Sequence, residues 1–144
     1  MRPRTASAPP SPSATPDKDG RADLVIGAPG ENGNSGSVIV VRGTAGRLDT
    51  AHARTWTQNT AGVAGTSETG DTFGAAVRVL DMNKDGRAEL LIGAPGENGG
   101  AGSLWLLRGS ATAVTATGSV NVGPGGAGLG SSGAAHFAQV VTGP

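Results

Sequence analysis

The sequence predicts an all-β chain built from two copies of one unit. Residues 17–44 and 83–110 align without a gap at an offset of 66 residues, and 18 of the 28 aligned pairs are identical. Glycine accounts for 26 of the 144 residues and aromatic side chains for only 3%. So much glycine disfavours long helices and favours turns. Repeated short strands joined by tight turns therefore explain the chain best.

Each unit begins with an acidic turn and continues with two short apolar runs. The first runs are Leu24–Ile26 and Leu90–Ile92, and the second are Ser37–Val41 and Ser103–Leu107. A loop rich in glycine, proline and asparagine separates the two runs, as expected between strands. The runs are nearly continuous rather than alternating, which is typical of strands buried on both faces.

Weaker signals predict the remaining strands. Phe73–Leu80 reads as a lead-in strand before the second acidic turn, and His136–Val141 resembles its beginning. A last strand of each unit is expected near Arg54–Gln58 and Ser119–Val122. Nothing like a lead-in strand precedes the first acidic turn, so the first unit is expected to lack it.

These signals divide the chain into four segments. Residues 1–14 are rich in proline, serine and alanine and are expected to be a disordered tail. The first repeat is assigned to residues 15–72 and the second to residues 73–136. Residues 137–144 are expected to begin a third repeat.

The second acidic turn carries a regular series of oxygen-bearing side chains. Counted from Asp81, such groups fall at positions one, three, five and nine, with Gly86 at position six for the sharp turn. The backbone carbonyl at position seven can add another oxygen. Five hard oxygen donors favour Ca²⁺ over transition metals. The predicted ligands of this loop are Asp81, Asn83, Asp85, Arg87 (through its carbonyl) and Glu89.

The first acidic turn repeats the series less completely. Its position one is Thr15, so one carboxylate is missing and weaker binding is expected. An EF-hand would need a glutamate at position twelve, where Ile26 and Ile92 stand. The alternative to a metal site is a solvated acidic turn, since Asp, Asn and Gly favour turns anyway. The predicted ligands here are Asp17, Asp19, Arg21 (through its carbonyl) and Asp23.

The motifs around the acidic turns resemble a known repeat. Phe73-Gly74 before the second turn and Gly93-Ala94-Pro95 after it are similar to the FG-GAP repeat of integrin α-subunit propellers and their bacterial relatives. Gly27-Ala28-Pro29 repeats the second half of the pattern. The resemblance implies about two four-stranded blades of an incomplete β-propeller, with Ca²⁺ in the loop between the first two strands of a blade. It places that ion on the ligands named above.

Several function classes find no support in the sequence. Eleven basic residues balance eleven acidic ones, which removes a general electrostatic reason to bind nucleic acid. No apolar run approaches the roughly 20 residues that span a bilayer, so membrane insertion is not expected. Cysteine is absent. His52 and His136 are isolated, and no nucleophile–base pattern accompanies either of them, so the chain is expected not to be an enzyme.

The resemblance implies a calcium-binding extracellular module that binds a protein or carbohydrate, for example in adhesion. The alternative is an accessory propeller of a secreted hydrolase whose catalytic domain lies outside this chain. An extracellular or cell-surface location follows from the resemblance alone, because the N-terminal sequence lacks the apolar stretch of a signal peptide. The partner is an unidentified protein or glycan, with self-assembly as a further way to complete a propeller.

Overall fold

The computed structural model describes residues 15–129 and 135–141. The tail predicted for residues 1–14, and residues 142–144 of the predicted third repeat, lie outside this part of the chain. The described residues form antiparallel sheets with only single helical turns, so the all-β prediction is confirmed. The strands are β1 (Leu24–Ala28), β2 (Ser37–Val41), β3 (Gly43–Thr44), β4 (Arg47–Leu48), β5 (Arg54–Trp56), β6 (Ala76–Leu80), β7 (Glu89–Ala94), β8 (Ser103–Ser110) and β9 (Ala113–Val122). The helical turns are Glu31–Asn34, Thr50–His52 and Glu97–Gly100.

The second repeat forms a four-stranded antiparallel sheet in the order β6-β7-β8-β9. Every residue of β7 is buried, as its continuous apolar sequence predicts. β6 is shorter than the predicted strand, because Phe73 pairs with Gly36 of the first repeat instead of extending β6. β9 begins at Ala113, six residues before the predicted start, and pairs with β8 through one irregular step between Leu106 and Arg108.

The first repeat forms a narrower sheet in the order β1-β2-β5. Leu24 lies opposite Val41 and Ile26 lies opposite Ile39 in the antiparallel pairing of β1 with β2. β5 falls inside the segment where a last strand is expected. Among the described residues no strand pairs with the free edge of β1, which corresponds to the edge of β7 that β6 covers. The short β3–β4 hairpin was not predicted.

The hydrophobic core lies between the two sheets. Phe73 and Trp105 meet edge to face at its centre, with ring centroids 5.3 Å apart at 73°. Val38 from the first sheet and Leu90 and Ile92 from the second are fully buried beside them. The buried apolar residues of this interface belong to a single hydrophobic cluster.

Each lead-in segment is hydrogen-bonded to the repeat before it. The Phe73 N–H donates to the Ser35 carbonyl at 3.0 Å, and the Phe137 N–H donates to the Ala101 carbonyl at 3.0 Å. Gly36 has φ +89°, and a Cβ there would strike the backbone of Phe73. Glycine is therefore required where one repeat receives the next.

Candidate metal centre

The two acidic loops follow the same backbone path. At position four, Lys18 and Lys84 have φ of 61° and 60°, in the left-handed region. At position six, Gly20 and Gly86 have φ of 79° and 88°. Such angles suit glycine but are uncommon for lysine. The sequence repeat is therefore a structural repeat down to the individual backbone angles.

Asp81 closes the second loop through its carboxylate. Its Oδ1 accepts a hydrogen bond from the Asp85 N–H at 3.2 Å, and its Oδ2 accepts one from the Gly86 N–H at 2.9 Å. Both donors come from the sharp part of the turn. Asp81 therefore holds the loop in a curved form.

The other predicted ligands of the second loop also bond within it. Asp85 Oδ1 accepts from the Arg87 N–H at 2.8 Å, and Asn83 Oδ1 accepts from the Asp85 N–H at 3.0 Å. Glu89 is buried, and its Oε2 accepts from the Met82 N–H at 2.9 Å. Asp81 and Asn83 thus share the Asp85 N–H, whereas Asp85 and Glu89 accept from other backbone amides of the loop.

The second loop has oxygen donors suited to a hard cation, but their side chains are not arranged as a complete coordination shell. Within residues 15–129 and 135–141, no group of three His, Cys, Asp or Glu side chains is placed to hold a metal. A carboxylate oxygen that accepts one amide hydrogen keeps a second lone pair for a metal. The Asn83 Nδ2 group, which donates to Asp85 Oδ2 at 3.2 Å, would have to turn away. The residues fit Ca²⁺, since its ligand shell is flexible and all oxygen.

The first loop holds a cation of its own, the guanidinium of Arg42. Arg42 Nη2 lies 2.7 Å and Nε 2.9 Å from Asp17 Oδ2. The Asp17 side chain is only 1% exposed. Burial alone would raise the pKa of Asp17, but the bonds from Arg42 and from the Asp19 N–H outweigh it, so the pKa is lowered. A predicted metal ligand is therefore already neutralised.

Asp23, at position nine of the first loop, is hydrogen-bonded outside the loop. Asp23 Oδ1 accepts from the Gly43 N–H at 2.9 Å, while its Oδ2 is buried without a hydrogen-bond partner among the described residues. Burial raises the pKa of Asp23, and the Gly43 bond offsets this only in part. With Thr15 in place of a carboxylate, this loop as it stands fits a metal less well than the second loop.

Sequence reasoning missed Arg42 because the repeat conceals it. The equivalent residue of the second repeat is Arg108, whose Nε instead donates to the Gly118 carbonyl at 3.1 Å. The two arginines match in the alignment yet act differently. The available signal was the neutral Thr15 at position one, which leaves the first loop without the carboxylate that Asp81 supplies at that position in the second loop.

The family comparison bears on the same two regions. The model of the FG-GAP repeat matches residues 17–41 and 73–107, each of which includes an acidic loop or the strands beside it. This chain contains FG-GAP repeats. Together with the antiparallel sheets, the match makes the fold a partial β-propeller.

Two similar curated proteins carry the same name. The chain is 33% identical over 106 residues to phosphatidylinositol-glycan-specific phospholipase D of Mus musculus. It is 34% identical over 106 residues to the protein of that name from Rattus norvegicus. Each alignment covers 68% of this chain but 12% of the relative. The chain thus spans about an eighth of the length of these relatives.

The structure gives a physical reason for the Phe-Gly and Gly-Ala-Pro residues of the FG-GAP motif. The Gly74 N–H donates to the Gly93 carbonyl at 3.0 Å, which joins the Phe-Gly pair to the Gly-Ala-Pro turn. A Cβ on Gly27 would meet the Gly74 carbonyl, and one on Gly93 would meet the Ala138 carbonyl. The first glycine of each Gly-Ala-Pro therefore makes room for the lead-in of the following FG-GAP repeat.

The acidic loops of the two FG-GAP repeats are neighbours in space. Lys18 Nζ donates to the Asp85 carbonyl at 3.2 Å, and the Ala88 N–H donates to the Thr15 carbonyl at 3.0 Å. Both loops therefore lie on the same side of the molecule. The sequence alone does not predict this contact.

Other polar and aromatic groups serve packing. Trp56 is buried with Arg54 over its ring at 4.9 Å, which supports core packing rather than a platform for a ligand. Glu97 accepts a hydrogen bond from Gln58, and its pKa is raised, chiefly by burial.

No helix in the described ranges has the length and apolar character needed to cross a membrane.

Proposed function

We propose that this chain is a non-catalytic, calcium-stabilised propeller module that works outside the cell. The observation that supports calcium is the second acidic loop, in which Asp81 and Asn83 both accept the Asp85 N–H inside an FG-GAP repeat. Ca²⁺ would be held by Asp81, Asn83, Asp85, the Arg87 carbonyl and Glu89. The ion would neutralise carboxylates that repel one another and would hold the turn between β6 and β7.

The first loop would take Ca²⁺ more weakly. Its ligands would be Asp17, Asp19, the Arg21 carbonyl and Asp23, but the ion would have to displace Arg42 from Asp17. The bond between Arg42 and Asp17 is short and the carboxylate is buried, so this displacement opposes binding. The two loops are therefore expected to differ in affinity.

Thermal melting in CaCl₂ and in EDTA tests the calcium proposal. A ligand present at ten times its dissociation constant stabilises the native state by about 1.4 kcal/mol. Calcium modules outside the cell often bind in the range of about 0.1 to 1 mM. We expect CaCl₂ to raise the melting temperature of the wild-type chain and Asp85→Asn to remove most of that gain.

Asp19→Asn is the matched control, because Asp19 is the residue equivalent to Asp85 in the first loop. It should keep most of the calcium-dependent gain. Equal losses in the two variants would contradict the assignment of the main site to the second loop. Identical melting of the wild-type chain in CaCl₂ and in EDTA would remove the calcium proposal altogether.

The module would bind a protein or a glycan, as in adhesion. A balanced net charge gives no electrostatic advantage to nucleic acid, and insertion into a membrane is not part of the proposal. The FG-GAP match supports a propeller, and loops at one end of such a fold are available for binding. Screening the calcium-loaded chain against immobilised glycans and extracellular-matrix proteins tests this role. A lack of saturable binding to both classes would count against it.

The second candidate is an accessory propeller of a secreted hydrolase. The observation that favours it is the similarity to a phospholipase D specific for phosphatidylinositol-glycan. In this case the chain alone should not hydrolyse phosphatidylinositol-glycan substrates. A reading frame with a neighbouring catalytic region would favour this candidate over a free-standing adhesion module, whereas hydrolysis by the isolated chain would contradict both.

A further inference from the structure

The strand register assigns each side chain of the central strands to one of two faces. In the second sheet, Leu90 lies opposite Leu107 and Ile92 opposite Trp105, so these four side chains share a face. All four are at most 1% exposed, because this face packs on the first sheet. We call these four side chains the receiving face, since they receive the neighbouring sheet.

The first sheet meets this receiving face with the opposite side of its own strands. Val38 and Val40 of β2 are 0% and 3% exposed and belong to the same core cluster, as does the half-buried Val25. Val25 lies opposite Val40, so they share one face. We call Val25, Val38 and Val40 the donating face. The interface inside the chain therefore joins the donating face of one repeat to the receiving face of the next.

The 66-residue repeat places a second copy of each face in the chain. The donating face recurs in the second sheet as Leu91, Leu104 and Leu106. These residues line an apolar groove with Val120 and Val122, and Val120 is 45% exposed. Within the described residues no other sheet covers this groove. Leu91 is only 7% exposed, so the unused donating face of the second repeat is open mainly at Val120 and at the half-buried Leu104 and Leu106.

The receiving face recurs in the first sheet, where its β1 side chains are exposed and Val41 of β2 is 5% exposed. Its members are Leu24, Ile26, Ile39 and Val41, at the positions of Leu90, Ile92, Trp105 and Leu107. Leu24 is 39% exposed and Ile26 is 41% exposed, whereas Leu90 and Ile92 are fully buried. Large apolar side chains exposed in this way on a sheet indicate an interaction surface.

We propose that the open donating face of one copy of this chain packs on the open receiving face of a second copy. The chain already contains this interface once, between its own two sheets, with aligned residues on both sides. The contact is head to tail, so repeated copies would close a ring or extend as a fibre. With about four to eight blades in a ring, a closed assembly would contain about two to four copies.

The free edge of β1 supports the same arrangement. Inside the chain, Phe73 contacts the first repeat and the following strand β6 covers the edge of β7. Phe137 makes the equivalent contact with Gly102 of the second repeat. Residues 138–141 would then lie beside the β1 edge of the next copy, and Val140 is 74% exposed. Both the faces and the strand edge would be completed by the same partner.

Two single substitutions test the proposal. Ile26→Asp disrupts the receiving face and Leu106→Asp disrupts the donating face, while each leaves the other face intact. Size-exclusion chromatography with light scattering should show an oligomer for the wild-type chain and a monomer for each variant. Leu48→Asp is the matched control, because Leu48 is equally exposed at 39% but lies on the β3–β4 hairpin. It should assemble like the wild type.

Mixing the two variants gives the sharpest result. The intact donating face of Ile26→Asp can pair once with the intact receiving face of Leu106→Asp, so the mixture should form a dimer that neither variant forms alone. A variant that remains a dimer alone would show a symmetric interface and overturn the proposal. A wild-type chain that is monomeric at its highest soluble concentration would overturn it too, with the faces then left to another segment or partner.

Circular dichroism of each variant separates loss of assembly from loss of fold. If Leu106→Asp does not fold, the more exposed Val120→Asp tests the same face. The measurements are made in CaCl₂ and in EDTA. The proposal rests on the partial-propeller fold and not on the metal. Assembly with no effect of calcium on stability would refute only calcium binding. An effect of calcium on stability without assembly would refute only this proposal.

Discussion

Replacing Arg42 by glutamine is the clearest way to distinguish the electrostatics of the two acidic loops. The substitution removes the guanidinium that bonds to the buried Asp17 carboxylate and keeps a side chain of similar length. The matched control is Arg108→Gln at the equivalent position of the second repeat, where the arginine bonds only to the Gly118 carbonyl among the contacts described. The two variants thus differ in one respect: Arg42 neutralises a buried carboxylate, whereas Arg108 bonds to an uncharged carbonyl.

The magnitude follows from the burial of the two partners. Breaking a fully buried ion pair costs about 3–5 kcal/mol, and an exposed pair contributes about 0–1 kcal/mol. Asp17 is 1% exposed but Arg42 is 40% exposed, so solvent screening places the loss between these limits, at about 2 kcal/mol. That corresponds to a fall of roughly 6–8 °C in melting temperature for a chain of this size. Arg108→Gln should lose only about 0.5 kcal/mol, the contribution of one exposed hydrogen bond.

The assay is thermal melting of both variants and the wild-type chain in EDTA and in CaCl₂. Without Arg42 the first loop can accept Ca²⁺ on Asp17, so calcium should recover about 1 kcal/mol of the loss. The calcium-dependent gain should therefore be larger in Arg42→Gln than in the wild type or in Arg108→Gln. Equal destabilisation by the two substitutions, or an unchanged calcium gain in Arg42→Gln, would refute the role assigned to Arg42.

Three further predictions concern the core, the contact between repeats and pH. Phe73→Ala should lower the free energy of unfolding, measured by urea denaturation, by about 3–5 kcal/mol, because Phe73 is fully buried against Trp105. Phe137→Ala, at a half-buried position, should lower it clearly less, and similar losses would contradict this. Gly36→Ala should destabilise more than Gly46→Ala, since both have positive φ but only Gly36 faces the Phe73 backbone; equal denaturation midpoints would show that the close approach is unimportant. The raised pKa of Glu97 means that folding takes up protons there, so this group destabilises the fold as pH rises above about 4.5. Melting of Glu97→Gln should lack that decline, and an unchanged pH profile would contradict the assignment.

The sequence predicted much of the fold because the repeat fixes equivalent positions. The run Leu90–Ile92 is continuous and apolar, and in the structure its residues are at most 7% exposed. The equivalent run Leu24–Ile26 was also expected to be buried on both faces, but Leu24 and Ile26 are 39% and 41% exposed because no other sheet of the described residues packs on their face. The lead-in strand was predicted too long, because local propensity does not show that Phe73 contacts the first repeat rather than extending β6. The β3–β4 hairpin lies in a polar segment around Gly46 and carries no apolar pattern to reveal it.

The candidate site could be predicted only in part from the sequence. Spacing alone indicated the curved loop at Asp81, and the structure shows that curve with carboxylate–amide bonds. Spacing could not reveal that Arg42, 25 residues along the chain from Asp17, bonds to its carboxylate. It also could not show that Lys18 reaches the carbonyl of Asp85, because that contact depends on how the two sheets pack.

Calorimetric titration of the metal-free chain with CaCl₂ tests the calcium-binding proposal most directly. The wild-type chain should show one dominant saturable site, with a midpoint in the range of about 0.1 to 1 mM. Asp81→Asn should abolish that site, because it removes a charged ligand from the second loop, while Asp17→Asn in the first loop should leave it in place. An absence of saturable heat in the wild type, or an identical isotherm for Asp81→Asn, would contradict calcium binding by the second loop.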